Sequence, residues 1–257
     1  MRLISSQTFT KNFFCGIRTP WTLASDEVWL RTRRLGGCHI PLGTGVFRSN
    51  EPMLTPGEDM TSTRIPPKEL TGLYGAVVKM FARRTFGQVP RSLGVMWHHL
   101  PVLKASMGFG QKLQKWDQCD EGLKSYAHMA VASLVGCSFC LDFNYFMAHN
   151  HGLDVDKARE IPRWRVSGVF TPLEREVLEY AEAMSQTPPT VTDERVASLM
   201  RQLGAAALIE LTTVIGFANL TTRSNTALGI ESEGFAASCG LKPMAPPGAR
   251  LGEATAS

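Results

Sequence analysis

Two cysteines three positions apart, Cys137 and Cys140, are the residues whose types and spacing point most directly to chemistry. Two thiols at this spacing can share one helical face and close a disulfide. They lie in the segment 129–148, whose one formal charge is Asp142. A segment of about twenty apolar residues is long enough to cross a bilayer. Gly136 and Asp142 interrupt this one, however, and no basic cluster flanks it, so we predict two buried helices that meet at Gly136.

A cysteine in the first turn of a helix faces unpaired N–H groups and the positive end of the helix dipole, which favour the thiolate. The thiolate attacks an electrophile, and the second thiol then displaces the product by forming a disulfide. This reasoning by itself assigns the attack to Cys137, which lies nearer the helix start. Two other interpretations stay open: a structural pair of small buried residues, and half of a zinc site.

A zinc site needs two more ligands, and neither the His98–His99 pair nor the His149/His151 pair has a structural zinc spacing. No Gly-rich phosphate loop or dinucleotide fingerprint is evident in the sequence. We therefore predict no metal and no cofactor, with electrons supplied by a small thiol or a partner protein.

Composition places the chain among soluble globular proteins, with 44% hydrophobic and 19% charged residues in a total of 257. A net charge of +4 is only mildly basic, and no Lys/Arg stripe alternates with aromatics, so nucleic acid is an improbable partner. The six cysteines are scattered, unlike the disulfide framework of a small secreted domain. We predict a cytoplasmic protein that binds neither nucleic acid nor membrane.

The chain divides into three parts by pattern. Residues 1–59 contain many Gly and Pro without a periodic apolar pattern, and we predict a disordered extension there, or an untranslated one if Met60 is the initiator. Residues 60–240 form the predicted domain. Residues 241–257, again rich in Pro, form a predicted disordered tail.

The middle part has helical signals almost throughout. Pro67 is predicted to begin a first helix, Asp120 to cap the helix before the cysteines, and Thr171 with Glu174 to form a capping box. The first of these helices has an apolar stripe at helical spacing, namely Leu70, Leu73, Val77, Val78 and Phe81. No convincing strand run is present, so the predicted fold class is all-α.

Residues 123–143, with a Gly-Cys-x-x-Cys sequence followed by Asp142, resemble the core of the carboxymuconolactone decarboxylase family, which includes the alkylhydroperoxidase D-like proteins. The similarity continues through 171–178 and 209–229 and covers about 66–234. The resemblance implies an alkylhydroperoxidase D-like helical fold in which paired helices pack in homo-oligomers.

The resemblance also implies roles for the two thiols. In the peroxidase members the second cysteine attacks the hydroperoxide and the first resolves the sulfenic acid, so Cys140 is the peroxidatic candidate and Cys137 the resolving one. Those members carry a relay glutamate and histidine where this chain has Ser125 and Asn144. Neither side chain titrates near neutral pH. His128, one turn after Ser125 on the same face, is the candidate replacement base, and a histidine that is satisfied in the core or at the surface is the alternative interpretation.

Three functions follow as hypotheses. The first is a cofactor-free thiol peroxidase or disulfide oxidoreductase that acts on a small hydroperoxide or disulfide. The second is a carboxymuconolactone decarboxylase-like proton-transfer enzyme, although the aromatic-catabolic members generally lack the paired cysteines. The third is a helical oligomerising protein whose relay has decayed. Two further expectations concern single charges: Glu210 in its apolar helix is predicted to pair with Arg223, and Asp142 to serve the helix dipole.

Overall fold

The computed structural model describes residues 63–247, which contain ten α-helices and no strand. The helices are α1 (Gly72–Phe86), α2 (Arg91–Met96), α3 (Leu100–Leu113), α4 (Glu121–Val135), α5 (Ser138–Asn150), α6 (Val155–Glu160), α7 (Pro172–Ser185), α8 (Asp193–Leu203), α9 (Ala205–Ala227) and α10 (Phe235–Ser238). The predicted all-α class is confirmed. The predicted extension 1–59 and the alternative start at Met60 lie outside the described residues.

Side-chain caps fix where several helices begin. The Asp120 carboxylate accepts the Leu123 N–H at 3.0 Å at the start of α4. At α7 the Thr171 hydroxyl accepts the Glu174 N–H at 3.2 Å, and the Glu174 carboxylate accepts the Thr171 N–H at 2.7 Å. Each cap pairs a backbone donor that the first helical turn leaves unsatisfied. Both predicted caps are confirmed.

Helix α4 lies at the centre of the main core, with α7 and α9 packed against it and α5 following it in the chain. The core includes large side chains that are almost completely buried, among them Met129, Val131, Leu178, Leu199, Leu211 and Ile215. Each such side chain stabilises the fold by roughly 1.5–3 kcal/mol relative to exposure. The cysteine pair lies directly after α4 in the chain, next to the helix at the centre of the core.

The first helix differs from its prediction. It begins at Gly72 rather than at Pro67, and the segment before it is held to α2 by the Lys68 N–H, which donates to the Gly94 carbonyl at 3.0 Å. Only part of the predicted apolar stripe packs inwards: Leu70 is buried and Val78 packs against the same small cluster, whereas Leu73 is 85% exposed. The helical spacing was correct for α1, but a tertiary hydrogen bond decides where the helix begins.

The described part of the chain packs further towards the C-terminus than the predicted boundary at residue 240. Ala245 is buried, and its N–H donates to the Arg159 carbonyl at 3.0 Å. The Tyr145 hydroxyl donates to the Lys242 carbonyl at 3.2 Å, and the Arg159 guanidinium to the Pro243 carbonyl at 2.8 Å. Residues 241–247 are therefore not a disordered tail, and the rest of the predicted tail, 248–257, lies outside the described residues. The backbone of residues 241–247 has partners on distant helices, which a local pattern does not reveal.

Among residues 63–247, α9 is the one helix with the length and apolar composition of a membrane span. This evidence is weak, because the core helix of a soluble protein passes the same test. Helix α9 buries Ala207, Leu211 and Ile215 in the main core, where it packs against α4.

Candidate active site

The two cysteines meet at a tight turn between α4 and α5. Gly136 ends α4 with φ 79°, in the left-handed region that favours glycine. Cys137 then occupies the N-cap position of α5, where its Sγ accepts the Cys140 N–H at 3.2 Å. Its own N–H donates to the Ala132 carbonyl at 2.9 Å. The two sulfurs form a disulfide, with the Cα atoms 5.3 Å apart.

The pair lies in apolar surroundings. Cys137 is 2% exposed and Cys140 3%, and both pack against Ala132, with Phe139 and Leu141 beside them. Burial disfavours a thiolate, whereas donors at the start of a helix favour it. The hydrogen bonds to each sulfur therefore decide how readily either thiol ionises.

Asn225 near the end of α9 contributes the one side-chain hydrogen bond to the pair within the described residues. Its Nδ2 lies 3.2 Å from Sγ of Cys140, across 85 positions of sequence. Sequence reasoning did not identify Asn225 as a site residue. The available signal was that this asparagine falls inside the segment 209–229 that carries the family resemblance.

The residues at the two relay positions make no hydrogen bond to either sulfur in the structure. Asn144 donates from Nδ2 to the Cys140 carbonyl at 2.7 Å, one helical turn back. Ser125 lies on α4, half-buried, two turns before Ala132. A polar side chain therefore borders the backbone of Cys140, but it does not replace the missing base.

His128 shares the α4 face that carries Ala132, one turn away. Burial of the imidazole lowers the pKa of His128 to about 4, so the ring is neutral at pH 7. Within residues 63–247 the ring makes no hydrogen bond to Cys137 or Cys140. His128 therefore remains a predicted site residue, on the helix that precedes the pair, with no hydrogen bond to either sulfur.

The Asp142 carboxylate binds a distant segment of the chain, whereas the sequence predicted only an interaction with the dipole of its own helix. Its two carboxylate oxygens accept the N–H groups of Phe235 and Ala236, each at 2.9 Å, and the Ser232 hydroxyl at 2.7 Å. The Ser232 N–H in turn donates to the Ser138 hydroxyl at 3.1 Å. The carboxylate therefore fixes the loop between α9 and α10 against the start of α5, beside the cysteines.

The same loop connects to α2 through Glu233. Its carboxylate accepts the Arg91 N–H at 2.8 Å. Burial, together with the nearby charge of Asp142, raises the pKa of the Glu233 carboxyl. The loop between α9 and α10 is thus bound to α5 through Asp142 and to α2 through Arg91.

The predicted pair of Glu210 with Arg223 is wrong within the chain. Thirteen residues on one helix separate them by about 20 Å, because the helix rises about 1.5 Å per residue. Glu210 instead accepts the Lys124 ammonium at 2.6 Å and the Gln118 N–H at 2.9 Å. Arg223 donates to the carbonyl of Ser185.

Three of the four paired histidines have structural partners. His98 Nε2 lies 3.0 Å from the Pro66 carbonyl, and His99 Nδ1 accepts the Val102 N–H at 3.3 Å at the start of α3. His151 Nδ1 lies 2.5 Å from the Glu121 carboxylate. Among the described residues, no group of three or more His, Cys, Asp or Glu side chains is arranged to hold a metal ion.

Solved structures share this architecture. The debrominase Bmp8 is 21% identical, with a TM-score of 0.58, and the match covers 69% of this chain and 97% of Bmp8. An uncharacterized peroxidase-related protein from Ralstonia eutropha, described as an alkylhydroperoxidase AhpD core, is 15% identical, with a TM-score of 0.54, and the match covers 66% and 94% of the two chains. At such identities the likeness shows the alkylhydroperoxidase D-like fold alone, which confirms the predicted fold.

Comparisons of sequence identify the family, which the structural likeness alone does not. The uncharacterized protein YnjA of Escherichia coli is 35% identical over 155 residues, which are 60% of this chain and 85% of YnjA. A model of the SdpI/YfhL protein family matches residues 8–47, outside the described part of the chain. The model of the carboxymuconolactone decarboxylase family matches residues 101–183, which include α4 and both cysteines of the pair. With this match and the extensive similarity to YnjA, the chain belongs to the carboxymuconolactone decarboxylase family.

Proposed function

We propose that the protein is a cofactor-free thiol oxidoreductase that reduces a small hydroperoxide through Cys140 and Cys137. The observation that carries the proposal is the contact between the two sulfurs at the start of α5, where Cys137 caps the helix. Both thiols belong to one helical turn, so the disulfide forms between residues that are already neighbours.

The proposed cycle oxidises the pair by two electrons and reduces the peroxide by two. The Cys140 thiolate attacks the terminal oxygen of the hydroperoxide, the O–O bond breaks, and the alkoxide takes a proton and leaves as the alcohol. The Cys137 thiolate then attacks the Cys140 sulfenic acid, whose hydroxide leaves as water after taking a proton. A small thiol or a partner dithiol reduces the resulting disulfide, as expected in a thiol-rich cytoplasm.

The order of the two thiols rests on the family resemblance. Position in the helix alone favours Cys137 as the attacking thiol. In the structure the Cys137 sulfur accepts the Cys140 N–H as the cap of α5, which stabilises a Cys137 thiolate as well, so the order of the thiols is taken from the family resemblance and not from this contact. We therefore retain Cys140 as the attacking residue.

His128 is proposed as the acceptor of a thiol proton. Its ring is neutral at pH 7 because burial lowers its pKa to about 4. A neutral ring is able to accept a proton, but a base of such low pKa holds it only while a thiolate is close by. We therefore expect His128→Gln to slow the reaction less than either cysteine substitution.

We also propose that the protein assembles as a homo-oligomer. Apolar side chains are exposed on α1 and α9, with Leu73 85% exposed, Ile209 68% and Leu220 55%. Exposed apolar side chains that gather on one surface favour association. Light scattering coupled to gel filtration tests the proposal, and a monomer at micromolar concentration would contradict it.

The function is tested on reduced protein with one equivalent of tert-butyl hydroperoxide, followed by mass spectrometry of each thiol. We expect wild-type protein to form a Cys137–Cys140 disulfide that dithiothreitol reverses. Cys140→Ser is expected to leave Cys137 reduced, and Cys137→Ser to stop at a Cys140 sulfenic acid that a dimedone reagent traps.

The matched control is Cys119→Ser, because Cys119 is a free thiol outside the pair. Burial raises the pKa of Cys119 to about 11, so this thiol is protonated at pH 7. This variant is expected to react as the wild type does. If both thiols of the pair stay reduced for minutes, the peroxidase proposal is wrong. Oxidation by a small disulfide but not by the peroxide would indicate disulfide exchange instead.

A further inference from the structure

The two sulfurs of the pair have different hydrogen-bond partners. The Cys137 sulfur accepts a backbone N–H from within α5, whereas the Cys140 sulfur accepts the side-chain amide of Asn225 at 3.2 Å. Asn225 belongs to α9, so this second donor comes from another part of the fold. Among the described residues it is the one side chain that donates to either sulfur.

A donor aimed at a sulfur stabilises the thiolate more than the thiol, because hydrogen bonds to charged groups are the stronger ones. Cys140 is 3% exposed, so its thiolate has little access to water. Burial alone raises the pKa of a thiol, and an amide donor opposes that effect. Since an amide does not titrate, the donation persists at every physiological pH.

Other charged groups on the surrounding helices are turned to different partners. On α5, Asp142 accepts backbone N–H groups of α10, and in the loop before α10 Glu233 accepts the Arg91 N–H. On α9, the Arg223 guanidinium donates to the Ser185 carbonyl, and on α4 His128 is neutral at pH 7. None of these described groups supplies a cation at the sulfur.

We propose that Asn225 is a catalytic residue of this site, whose amide donates to Cys140 Sγ and stabilises the thiolate of that cysteine during its attack. The inference rests on the proposed thiol chemistry and adds a residue to it. Ser125 and Asn144 occupy the places of the titrating relay, and the Asn225 amide provides stabilisation that needs no proton transfer. In the attack itself the sulfur gives its electron pair to the peroxide oxygen, and the amide keeps its proton throughout.

Backbone hydrogen bonds hold the end of α9 that carries Asn225. The Asn225 carbonyl accepts the Ile230 N–H at 2.9 Å, which closes the end of α9. The next turn is held by Arg64, whose N–H donates to the Leu228 carbonyl at 2.9 Å. The backbone that carries the amide is therefore held by the fold, and the amide itself lies 3.2 Å from the Cys140 sulfur.

The test measures the pKa of the Cys140 thiol, from the pH dependence of its alkylation rate in reduced protein, with mass spectrometry to resolve Cys140 from the other thiols. We expect Asn225→Ala to raise that pKa by about one unit, which is about a tenfold loss of thiolate well below the pKa. Asn225→Asp keeps the shape of the side chain but places a carboxylate at the sulfur, so we expect a larger rise. This isosteric variant also serves if the alanine variant folds poorly.

The matched control is Asn219→Ala. Asn219 is an asparagine on the same helix, also half-buried, but its amide donates to the Ser185 hydroxyl at 2.9 Å rather than to sulfur. We expect this variant to leave the Cys140 pKa unchanged. A purely structural role for Asn225 would lower the melting temperature without moving the thiol pKa.

An unchanged Cys140 pKa in both Asn225 variants, with native helical content, overturns the inference even if peroxide still oxidises the pair. A raised pKa supports it even if no peroxide reacts, and in that case the proposed peroxidase function fails alone.

Discussion

Replacing Lys124 with methionine removes the cation that neutralises a buried carboxylate while keeping most of the side chain's length. Lys124 is 12% exposed and Glu210 5%, and their charged atoms are 2.6 Å apart. The ammonium also donates to the Trp116 carbonyl at 2.6 Å. The pair therefore joins α4, α9 and the segment between α3 and α4.

The expected cost follows from what Lys124→Met leaves behind. Glu210 keeps the Gln118 N–H at 2.9 Å, but its carboxylate has lost its cation in a buried position. Removing one partner of a buried ion pair costs about 3–5 kcal/mol, because the remaining charge is uncompensated. For a domain of this size that loss lowers the melting temperature by about 10 °C.

The assay is urea unfolding followed by far-ultraviolet circular dichroism, with all variants at one protein concentration. The double variant Lys124→Met/Glu210→Leu is expected to recover most of the loss, since a buried pair replaced by apolar groups is often nearly neutral. The cycle of single and double variants then gives a coupling free energy of at least 1 kcal/mol.

The control is Arg195→Met, which removes the cation of an exposed pair with Glu179 at 3.1 Å. Exposed pairs contribute about 0–1 kcal/mol. If Lys124→Met destabilises the protein no more than this control does, or if the double variant loses the sum of the single losses, the reasoning from burial is refuted.

Two further predictions concern pH and the loop beside the cysteines. Burial raises the pKa of the Glu174 carboxyl, but the Lys157 ammonium and the Thr171 cap outweigh it and hold that pKa below its unfolded-state value. The resulting stabilisation is present well above the unfolded-state pKa and is lost as the pH falls through the lower folded-state pKa. The difference in unfolding free energy between wild type and Glu174→Gln should therefore shrink between about pH 6 and pH 3, and a constant difference would contradict this. Asp142→Ala removes the acceptor of two N–H groups, one of them that of Phe235, and should destabilise the loop by about 3 kcal/mol. Hydrogen exchange would then be faster in α10 but unchanged in α4, and unchanged protection of α10 would argue against this role for Asp142.

Local signals in the sequence predicted much of the fold correctly. The caps at Asp120 and Thr171 and the break at Gly136 each depend on a residue's own backbone preferences and on neighbours within one helical turn. The Cys-x-x-Cys pair is equally local, because its spacing and the start of α5 bring the sulfurs together. These features need no information from elsewhere in the chain.

The first helix shows where a local signal fails. A proline in position for a first turn and apolar residues at helical spacing predict a helix from Pro67, yet α1 begins at Gly72. The segment before it is bound to Gly94 through Lys68. The apolar period was correct, but it did not reveal that Leu73 faces outwards.

The sequence by itself determined the all-α class, the main helix starts and the two thiols, because each of these arises from interactions between residues a few positions apart. Only the tertiary structure decided that Lys124 pairs with Glu210 across 86 positions and that Asn225 donates to Cys140 across 85. A hydrogen bond or an ion pair needs its two groups within a few ångströms of each other, and for groups so far apart in the chain that distance is set by how α4, α5 and α9 pack.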